Sequence, residues 1–212
     1  MKRLLIKICG MRDDAGLKAL TALQPDMIGF IFYPQSPRYA GLQPSNNQVP
    51  KVDPSKKVGV FVDASLDEIS ARTKAFCLDY LQLHGTESPE FCRMARECTG
   101  CRIIKALPIS EAADLSLADA YEGVVDYLLF DTKTPNKGGS GCKFDWNLLD
   151  SYTSHTAFII SGGIDLEALV QLKKATWPAL VGVGLNSRFE LSPGVKDIPK
   201  LKNAIEMLRI NE

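Results

Sequence analysis

Two side chains that can exchange protons each end a short apolar run, and the two runs lie far apart in the chain. Cys9 ends the first run, within KICGMR at residues 7–12, and Asp131 ends a later run, YLLFD at residues 127–131. A thiolate acts as a general base when its charge is stabilised, and a protonated carboxyl group acts as a general acid. Lys7 shares a strand face with Cys9, where its charge would stabilise a thiolate. The pair therefore indicates acid–base chemistry.

Both residues also have an ordinary structural interpretation. A lone cysteine after a strand is most often a small buried apolar side chain. An aspartate at the end of a strand often caps the next helix or loop. For Asp131 alone the two interpretations are evenly matched, and for Cys9 alone the structural one is favoured. The Gly-Met-Arg that follows Cys9, together with the distant Asp131, favours the chemical interpretation.

Other apolar runs are followed by residues that suit an anionic ligand. Gly162 and Gly163 follow the seventh run, and a turn that contains Gly184, Asn186 and Ser187 follows the eighth. Glycines let backbone amides approach phosphate oxygens, and the N-terminus of a short helix there would add the positive end of its dipole. A Gly-Gly pair alone is weak support because it marks turns of every kind. The position of both segments after strands favours a phosphate site.

Three further segments carry polar or flexible residues at matching positions. Arg38 follows the second run and offers a planar fork for a carboxylate, although a loop arginine is usually solvated. Gln82 and His84 end the fourth run and are expected to line a pocket. For His84, a hydrogen-bonded inner histidine is about as expected as a ligand contact. Gly139 lies in GGSG at residues 138–141. This glycine-rich segment indicates either a mobile loop that closes over a ligand or simply a flexible connection.

Eight apolar runs alternate with helix-like segments, a pattern that predicts a parallel sheet. In 212 residues it predicts an α/β fold with a single (β/α)8-barrel domain over residues 1–212. The predicted strands lie near residues 4–9, 27–32, 57–62, 80–84, 102–107, 127–131, 157–161 and 180–184. The predicted helices lie at 13–23, 65–76, 89–97, 145–149, 166–175 and 198–209, whereas 108–121 is too short and broken for a clear helix.

A barrel of this kind places the two proton-exchanging residues opposite each other. Strands one and six are three steps apart around a ring of eight, so Cys9 and Asp131 face each other across the mouth. Because alternate residues of a strand share a face, several side chains are expected to point inward below the mouth: Leu5, Lys7, Gln82, Tyr127, Leu129 and Ile159. An acid and a base on opposite sides of a sugar suit an aldose–ketose rearrangement.

The bulk composition excludes some classes of partner. Lys plus Arg equal Asp plus Glu at 25 each, so no global basic field would attract nucleic acid. No apolar run reaches membrane-spanning length, and Lys7 interrupts the apolar start, so we expect a cytoplasmic protein without a membrane partner. The six cysteines are expected to be reduced thiols. Cys92, Cys98 and Cys101 form the best metal candidate, but only two histidines exist, so no metal is expected.

The motifs KICGMR, QLHG, FDT and SGGI, in this order, resemble those of the phosphoribosylanthranilate isomerase family of tryptophan biosynthesis, and the resemblance runs over nearly the whole chain. It implies rearrangement of N-(5-phosphoribosyl)anthranilate to 1-(2-carboxyphenylamino)-1-deoxyribulose 5-phosphate. It also implies that Cys9 takes the substrate proton and that Arg38 holds the anthranilate carboxylate. No cofactor is implied, since opening of the sugar ring gives a protonated imine that is itself the electron sink. The expected partner is a small phosphorylated substrate, and the expected state is a monomer or a homodimer.

One segment departs from the family pattern. The family commonly reads GVDVSSGVE after strand eight, and this chain reads GVGLNSRFE at residues 182–190. Gly184 therefore stands in place of a carboxylate that can contact the sugar, while Arg188 can add charge to the phosphate site. Alternatives are another sugar-phosphate isomerase or epimerase, or a barrel that binds a sugar phosphate without turnover. A dual histidine/tryptophan isomerase would be expected to carry Asp instead of Cys9.

Overall fold

Eight parallel strands close into a barrel in chain order. The computed structural model describes residues 3–12, 14–41, 44, 49–133 and 143–209. The barrel strands are β1 Leu5–Cys9, β2 Met27–Ile31, β3 Lys56–Phe61, β4 Tyr80–Leu83, β5 Arg102–Ile109, β6 Tyr127–Thr132, β7 Phe158–Ile160 and β8 Leu180–Leu185. β1 pairs with both β2 and β8, which completes the ring. The predicted strands and the (β/α)8 fold are confirmed.

Helices follow most strands and cover the outside of the barrel. The α-helices are α1 Asp14–Thr21, α2 Leu66–Phe76, α3 Pro89–Thr99, α4 Leu166–Leu172 and α5 Ile198–Arg209. Ser65 and Ser88 cap α2 and α3 by accepting a backbone N–H three residues ahead, as their positions before acidic first turns indicate. The helical segment predicted at 145–149 is the 3-10 helix Trp146–Ser151, and the broken segment 108–121 holds the 3-10 helix Ala112–Tyr121.

The strands separate two apolar cores. Inside the barrel one layer is formed by Met27, Val58, Tyr80, Ile104, Ala106, Leu129 and Ile159. Between the barrel and the helices a larger cluster takes the alternate strand residues, among them Ile6, Ile8, Leu81, Leu83, Leu128, Phe130, Phe158 and Ile160. This division confirms the predicted inward and outward faces. The inner layer fills the barrel from below and leaves only its carboxyl end for a cavity.

A buried ion pair fixes the turn that leaves β4. The Lys105 Nζ donates to Glu87 Oε2 at 2.8 Å and to the carbonyl oxygens of Leu83 and Gly85. Glu87 also accepts the backbone N–H groups of Asp63 and Gly85. Both charged side chains are almost fully buried, with exposed fractions of 2% and 3%. The pair holds β4, β5 and the following loop in one arrangement, and His84 begins that loop.

We expect Lys105→Met to lower the free energy of unfolding by about 3–5 kcal/mol, because a buried carboxylate would lose its counter-charge. Urea unfolding followed by circular dichroism measures this loss. Arg93→Met is the matched control, since Arg93 pairs with Glu90 on the exposed face of α3 and such pairs contribute little. Equal stability of the two variants would contradict the structural role of the buried pair.

A short antiparallel hairpin lies outside the barrel after β8. It consists of β9 Glu190–Ser192 and β10 Val195–Lys196, and it follows the single-turn 3-10 helix Ser187–Phe189. Gly194 has a φ of +87°, a left-handed conformation that glycine adopts without strain in the turn between the strands. The hairpin returns the chain toward the mouth of the barrel before α5 begins.

Candidate active site

A cavity of about 620 Å³ opens at the carboxyl ends of the barrel strands. That volume is typical of a site for a small ligand. Ten of the residues predicted for the site line it: Cys9, Arg38, Gln82, His84, Asp131, Gly162, Gly163, Gly184, Asn186 and Ser187. Gly139 and its glycine-rich loop lie outside the described residues. Strand ends that are far apart in sequence therefore meet at one place, as the barrel arrangement predicts.

The Cys9 side of the cavity depends on a glycine in the neighbouring strand. Cys9 ends β1 and lies beside Gly29 of β2. A Cβ on Gly29 would lie 2.7 Å from Cys9 Sγ and 3.1 Å from Lys7 Nζ, so the thiol and the ammonium occupy the space that a side chain there would need. Glycine inside a strand commonly marks such a close approach. The thiol therefore faces the cavity with a buried lysine ammonium next to it.

The opposite side of the cavity holds Asp131 in a chain of polar contacts. Asp131 Oδ2 lies 3.3 Å from His84 Nε2, and Asp131 Oδ1 accepts the N–H of Thr132. Gln82 Nε2 lies 2.8 Å from His84 Nδ1. If the Gln82 amide donates to Nδ1, the ring proton is on Nε2 and faces the carboxylate. The backbone of Gly162, at a φ of +90°, passes so close that a Cβ there would lie 2.7 Å from Asp131 Oδ1.

Arg38 is buried at the rim and is paired within the protein. Its Nε and Nη2 donate to the Glu190 carboxylate at 2.7–3.1 Å, a bidentate contact along one edge of the guanidinium. Lys196 Nζ also binds Glu190 Oε1, at 2.7 Å, and donates to Asn186 Oδ1 at 2.8 Å. Part of the planar fork predicted for a ligand carboxylate is thus occupied by a carboxylate of the protein itself. Glu190 takes the Nε–Nη2 edge of the Arg38 guanidinium, and within the described residues no hydrogen bond engages Nη1.

The sequence interpretation did not single out Glu190 and Lys196. Burial alone would raise the pKa of Glu190, but the hydrogen bond from Arg38 and the charge of Lys196 outweigh it and hold that pKa below its ordinary value. Burial lowers the pKa of Lys196, although the Glu190 carboxylate opposes the change. The Pro-Gly turn at 193–194 was the available signal, since it predicts a hairpin that can place both side chains on one face.

The segments after β7 and β8, which were predicted to bind a phosphate, form one end of the cavity. Gly163, like Gly162, has a positive φ, of +60°, which directs the backbone along the cavity wall. Asn186 and Ser187 follow β8, and the exposed Arg188 is close enough that its charge helps to lower the pKa of Asp165. A Cβ on Gly184 would lie 3.0 Å from Ser161 Oγ, so a serine hydroxyl occupies part of the space beside this glycine.

The other four cysteines that the structure describes are not among the residues that line the cavity. Cys77, Cys92, Cys98 and Cys101 are free thiols, and burial raises the pKa of Cys92 to about 11. Within the described ranges no cluster of three or more His, Cys, Asp or Glu side chains is placed to hold a metal ion. In the same part of the chain no helix is long and apolar enough to cross a membrane.

The fold and the cavity define a (β/α)8-barrel enzyme with a thiol and a carboxyl group across its mouth. Residues 6–207 match the family model described as N-(5'phosphoribosyl)anthranilate (PRA) isomerase. The N-(5'-phosphoribosyl)anthranilate isomerase of Parabacteroides distasonis is 43% identical over 207 residues, which cover 97% of this chain and 93% of that protein. The chain belongs to the phosphoribosylanthranilate isomerase family, and it is an isomerase of tryptophan biosynthesis.

Two solved structures are similar over almost the full length. One contains monomers generated from the dimeric phosphoribosylanthranilate isomerase of Thermotoga maritima, with 28% identity, a TM-score of 0.80, and coverage of 97% of this chain and 98% of that one. The other is a phosphoribosylanthranilate isomerase in complex with reduced 1-(o-carboxyphenylamino)-1-deoxyribulose 5-phosphate, with 27% identity, a TM-score of 0.79 and the same coverage. The shared fold agrees with the family match.

Proposed function

We propose that Cys9 is the general base and Asp131 the general acid with which this isomerase rearranges N-(5'-phosphoribosyl)anthranilate. The observation that carries this assignment is their position at the ends of β1 and β6, on opposite sides of one cavity of about 620 Å³. A ligand between them has one face toward a thiol and the other toward a carboxyl group. Proton removal and proton donation can then occur on one bound molecule without its release.

The proposed reaction begins at the furanose ring. Asp131 gives a proton to the ring oxygen while the anthranilate nitrogen donates its lone pair to C1, and the C1–O bond breaks. The open-chain product is a protonated imine. The Cys9 thiolate then removes the proton from C2, and the C2–H electrons form a C1–C2 double bond as the imine electrons return to nitrogen. The resulting enolamine tautomerises to the ketone, 1-(2-carboxyphenylamino)-1-deoxyribulose 5-phosphate.

The other proposed roles follow from the two ends of the cavity. The Nη1 edge of Arg38 binds the anthranilate carboxylate, because Glu190 holds the rest of the guanidinium in place. The backbone at Gly162 and Gly163, with Asn186 and Ser187, binds the phosphate. Gln82 and His84 line the wall between these ends; Gln82 contacts His84, and His84 contacts Asp131. Gly184 adds only backbone to this wall.

We expect Arg38→Ala to weaken binding of the reduced product analogue roughly ten- to hundred-fold, the effect of losing a hydrogen-bonded charge pair. Fluorescence titration of the anthranilate group measures the affinity. Arg93→Ala, on the exposed face of α3, is the matched control and is expected to leave the affinity unchanged. An unchanged affinity in Arg38→Ala would contradict the proposed binding of the ligand carboxylate by Arg38.

The chain is proposed to act on a small phosphorylated substrate in the cytoplasm, as a monomer or a homodimer. The similar phosphoribosylanthranilate isomerase of Thermotoga maritima is dimeric. Light scattering on this protein would decide between the two states.

The experiment that tests the function mixes purified protein with freshly generated phosphoribosylanthranilate and follows the loss of anthranilate-type fluorescence. Rapid loss with the unmodified chain, abolished in Cys9→Ala, is the expected result. The glycine at position 184 favours one alternative, a barrel that binds the sugar phosphate without turnover. Tight binding of the reduced product analogue with no fluorescence loss would support that alternative, and Gly184→Asp would then be the next variant.

A further inference from the structure

Lys7 is buried beside the proposed base, and no described residue forms an ion pair with it. Its residue is 2% exposed, and within the described residues no hydrogen bond or ion pair engages its ammonium group. A Cβ on Gly29 would lie 2.7 Å from Cys9 Sγ and 3.1 Å from Lys7 Nζ, so these two atoms are less than about 6 Å apart, close enough for one charge to shift the ionisation of the other. A buried ammonium is costly unless something nearby stabilises it.

A second buried ammonium approaches the same turn from outside the barrel. The Lys196 side chain is fully buried, and its Nζ lies 2.8 Å from Asn186 Oδ1. That oxygen in turn lies 2.9 Å from the position of a Cβ on Gly10, the residue after Cys9. The ammonium of Lys196 is therefore one side chain away from the Cys9–Gly10 turn.

The charges around Cys9 leave an excess of positive charge on its side of the cavity. Lys7 belongs to β1, and Lys196, Glu190 and Arg38 come from the hairpin and from the loop after β2. Glu190 pairs with both Arg38 and Lys196 and offsets one of these three cations. The neighbouring segments of β2 and β8 present Gly29 and Gly184, which carry no charge. Among the other described charged groups that line the cavity, Arg188 follows β8 and adds a further positive charge, whereas Asp131 with His84 lies across the mouth.

We propose that Lys7 and Lys196 are positioning residues that act through Cys9, by stabilising its thiolate from two sides. This inference rests on the proposed role of Cys9 as a base, and it adds two neighbouring charges through which a base at this place would act. A thiolate beside cations is favoured over the thiol. Since no other described residue pairs with the Lys7 ammonium, the thiolate also offsets the cost of burying it.

The titration of Lys196 is consistent with this arrangement. Burial lowers the pKa of Lys196, whereas the Glu190 carboxylate and, more weakly, a charge on Cys9 raise it. Coupling between two titrating groups is reciprocal, so an ammonium that is stabilised by the thiolate stabilises the thiolate by the same amount.

Alkylation of Cys9 by iodoacetamide tests the proposal without any need for turnover. The rate is measured from pH 5 to 10 by mass spectrometry of the Cys9 peptide, because only the thiolate reacts. In Lys7→Met and in Lys196→Gln the midpoint of the curve of alkylation rate against pH is expected to rise by about one pH unit or more. At pH values well below the midpoint, this shift makes alkylation of Cys9 about ten-fold slower. Lys7→Arg keeps the charge and is expected to restore the midpoint.

Internal and structural controls are available in the same samples. Cys77 and Cys98 are exposed thiols whose alkylation should be the same in all variants. Circular dichroism reports whether each variant is folded. Lys7→Met breaks no described ion pair, so it still tests the proposal if Lys196→Gln is unstable. An unshifted Cys9 midpoint in folded Lys7→Met overturns the proposal, as does a shift that Lys7→Arg shows to the same extent. Isomerase activity in Cys9→Ala would instead overturn the role of Cys9 as a base.

Discussion

Replacing Cys9 by alanine is expected to lower kcat by roughly a hundred- to ten-thousand-fold, the range that a well-placed proton-transfer group contributes. The change removes the one atom that is proposed to accept the C2 proton, and the neighbouring Lys7 cannot replace it while it remains an ammonium. Binding of the reduced product analogue should stay within a few-fold, because the carboxylate and phosphate ends of the cavity are unchanged. Loss of anthranilate-type fluorescence measures turnover, and titration measures binding.

Two variants sharpen this first prediction. Cys98→Ala removes an exposed thiol from α3 and should retain full activity, which excludes a general effect of losing a sulfur atom. Cys9→Ser keeps the size of the side chain but offers a hydroxyl that ionises far less readily, so it should resemble Cys9→Ala. Substantial turnover in either Cys9 variant would be incompatible with a thiolate base.

Replacing Asp131 by asparagine is expected to produce a loss of similar size, roughly a hundred- to ten-thousand-fold in kcat. Asparagine keeps the shape of the side chain and can still contact His84 and the N–H of Thr132, but it has no proton to give to the ring oxygen. Ring opening then has to proceed with a poor leaving group. The same fluorescence assay under single-turnover conditions measures the rate of the chemical steps directly.

A surface aspartate supplies the comparison for the second prediction. Asp150 accepts a hydrogen bond from Trp177 on the outside of the barrel, and Asp150→Asn should leave kcat unchanged. If Asp131→Asn remained as active as Asp150→Asn, the ring oxygen would have to receive its proton from another group, and His84 would be the nearest titratable side chain to examine.

Much of the barrel and of the cavity follows from the sequence, because strand ends obey simple geometry. The two-residue period predicts that Lys7 and Cys9 share a face, and an eight-fold ring predicts that Cys9 faces Asp131. These relations need only the order and length of the strands. For the same reason the glycines at 162 and 163 were expected at the mouth, where their positive φ angles are found.

Contacts between loops could not be predicted in this way. The bond between Arg38 and Glu190 joins residues 152 positions apart, and it depends on how the hairpin after β8 packs against the loop after β2. Neither loop has a repeating period from which such packing can be calculated. The 3-10 geometry of Ala112–Tyr121 was also missed, because Asp114 caps this segment through contacts with Ser110 and Glu111 rather than through an apolar stripe.

The ion pair between Arg38 and Glu190 also has a consequence for the order of events during protein synthesis. Glu190 is added to the growing chain 152 residues after Arg38, and Lys196 follows it. Until then the guanidinium lacks the carboxylate that orients it, and β1 lacks β8 as a neighbour. The ligand site therefore stays incomplete until the hairpin after β8 has been synthesised and Glu190 can pair with Arg38.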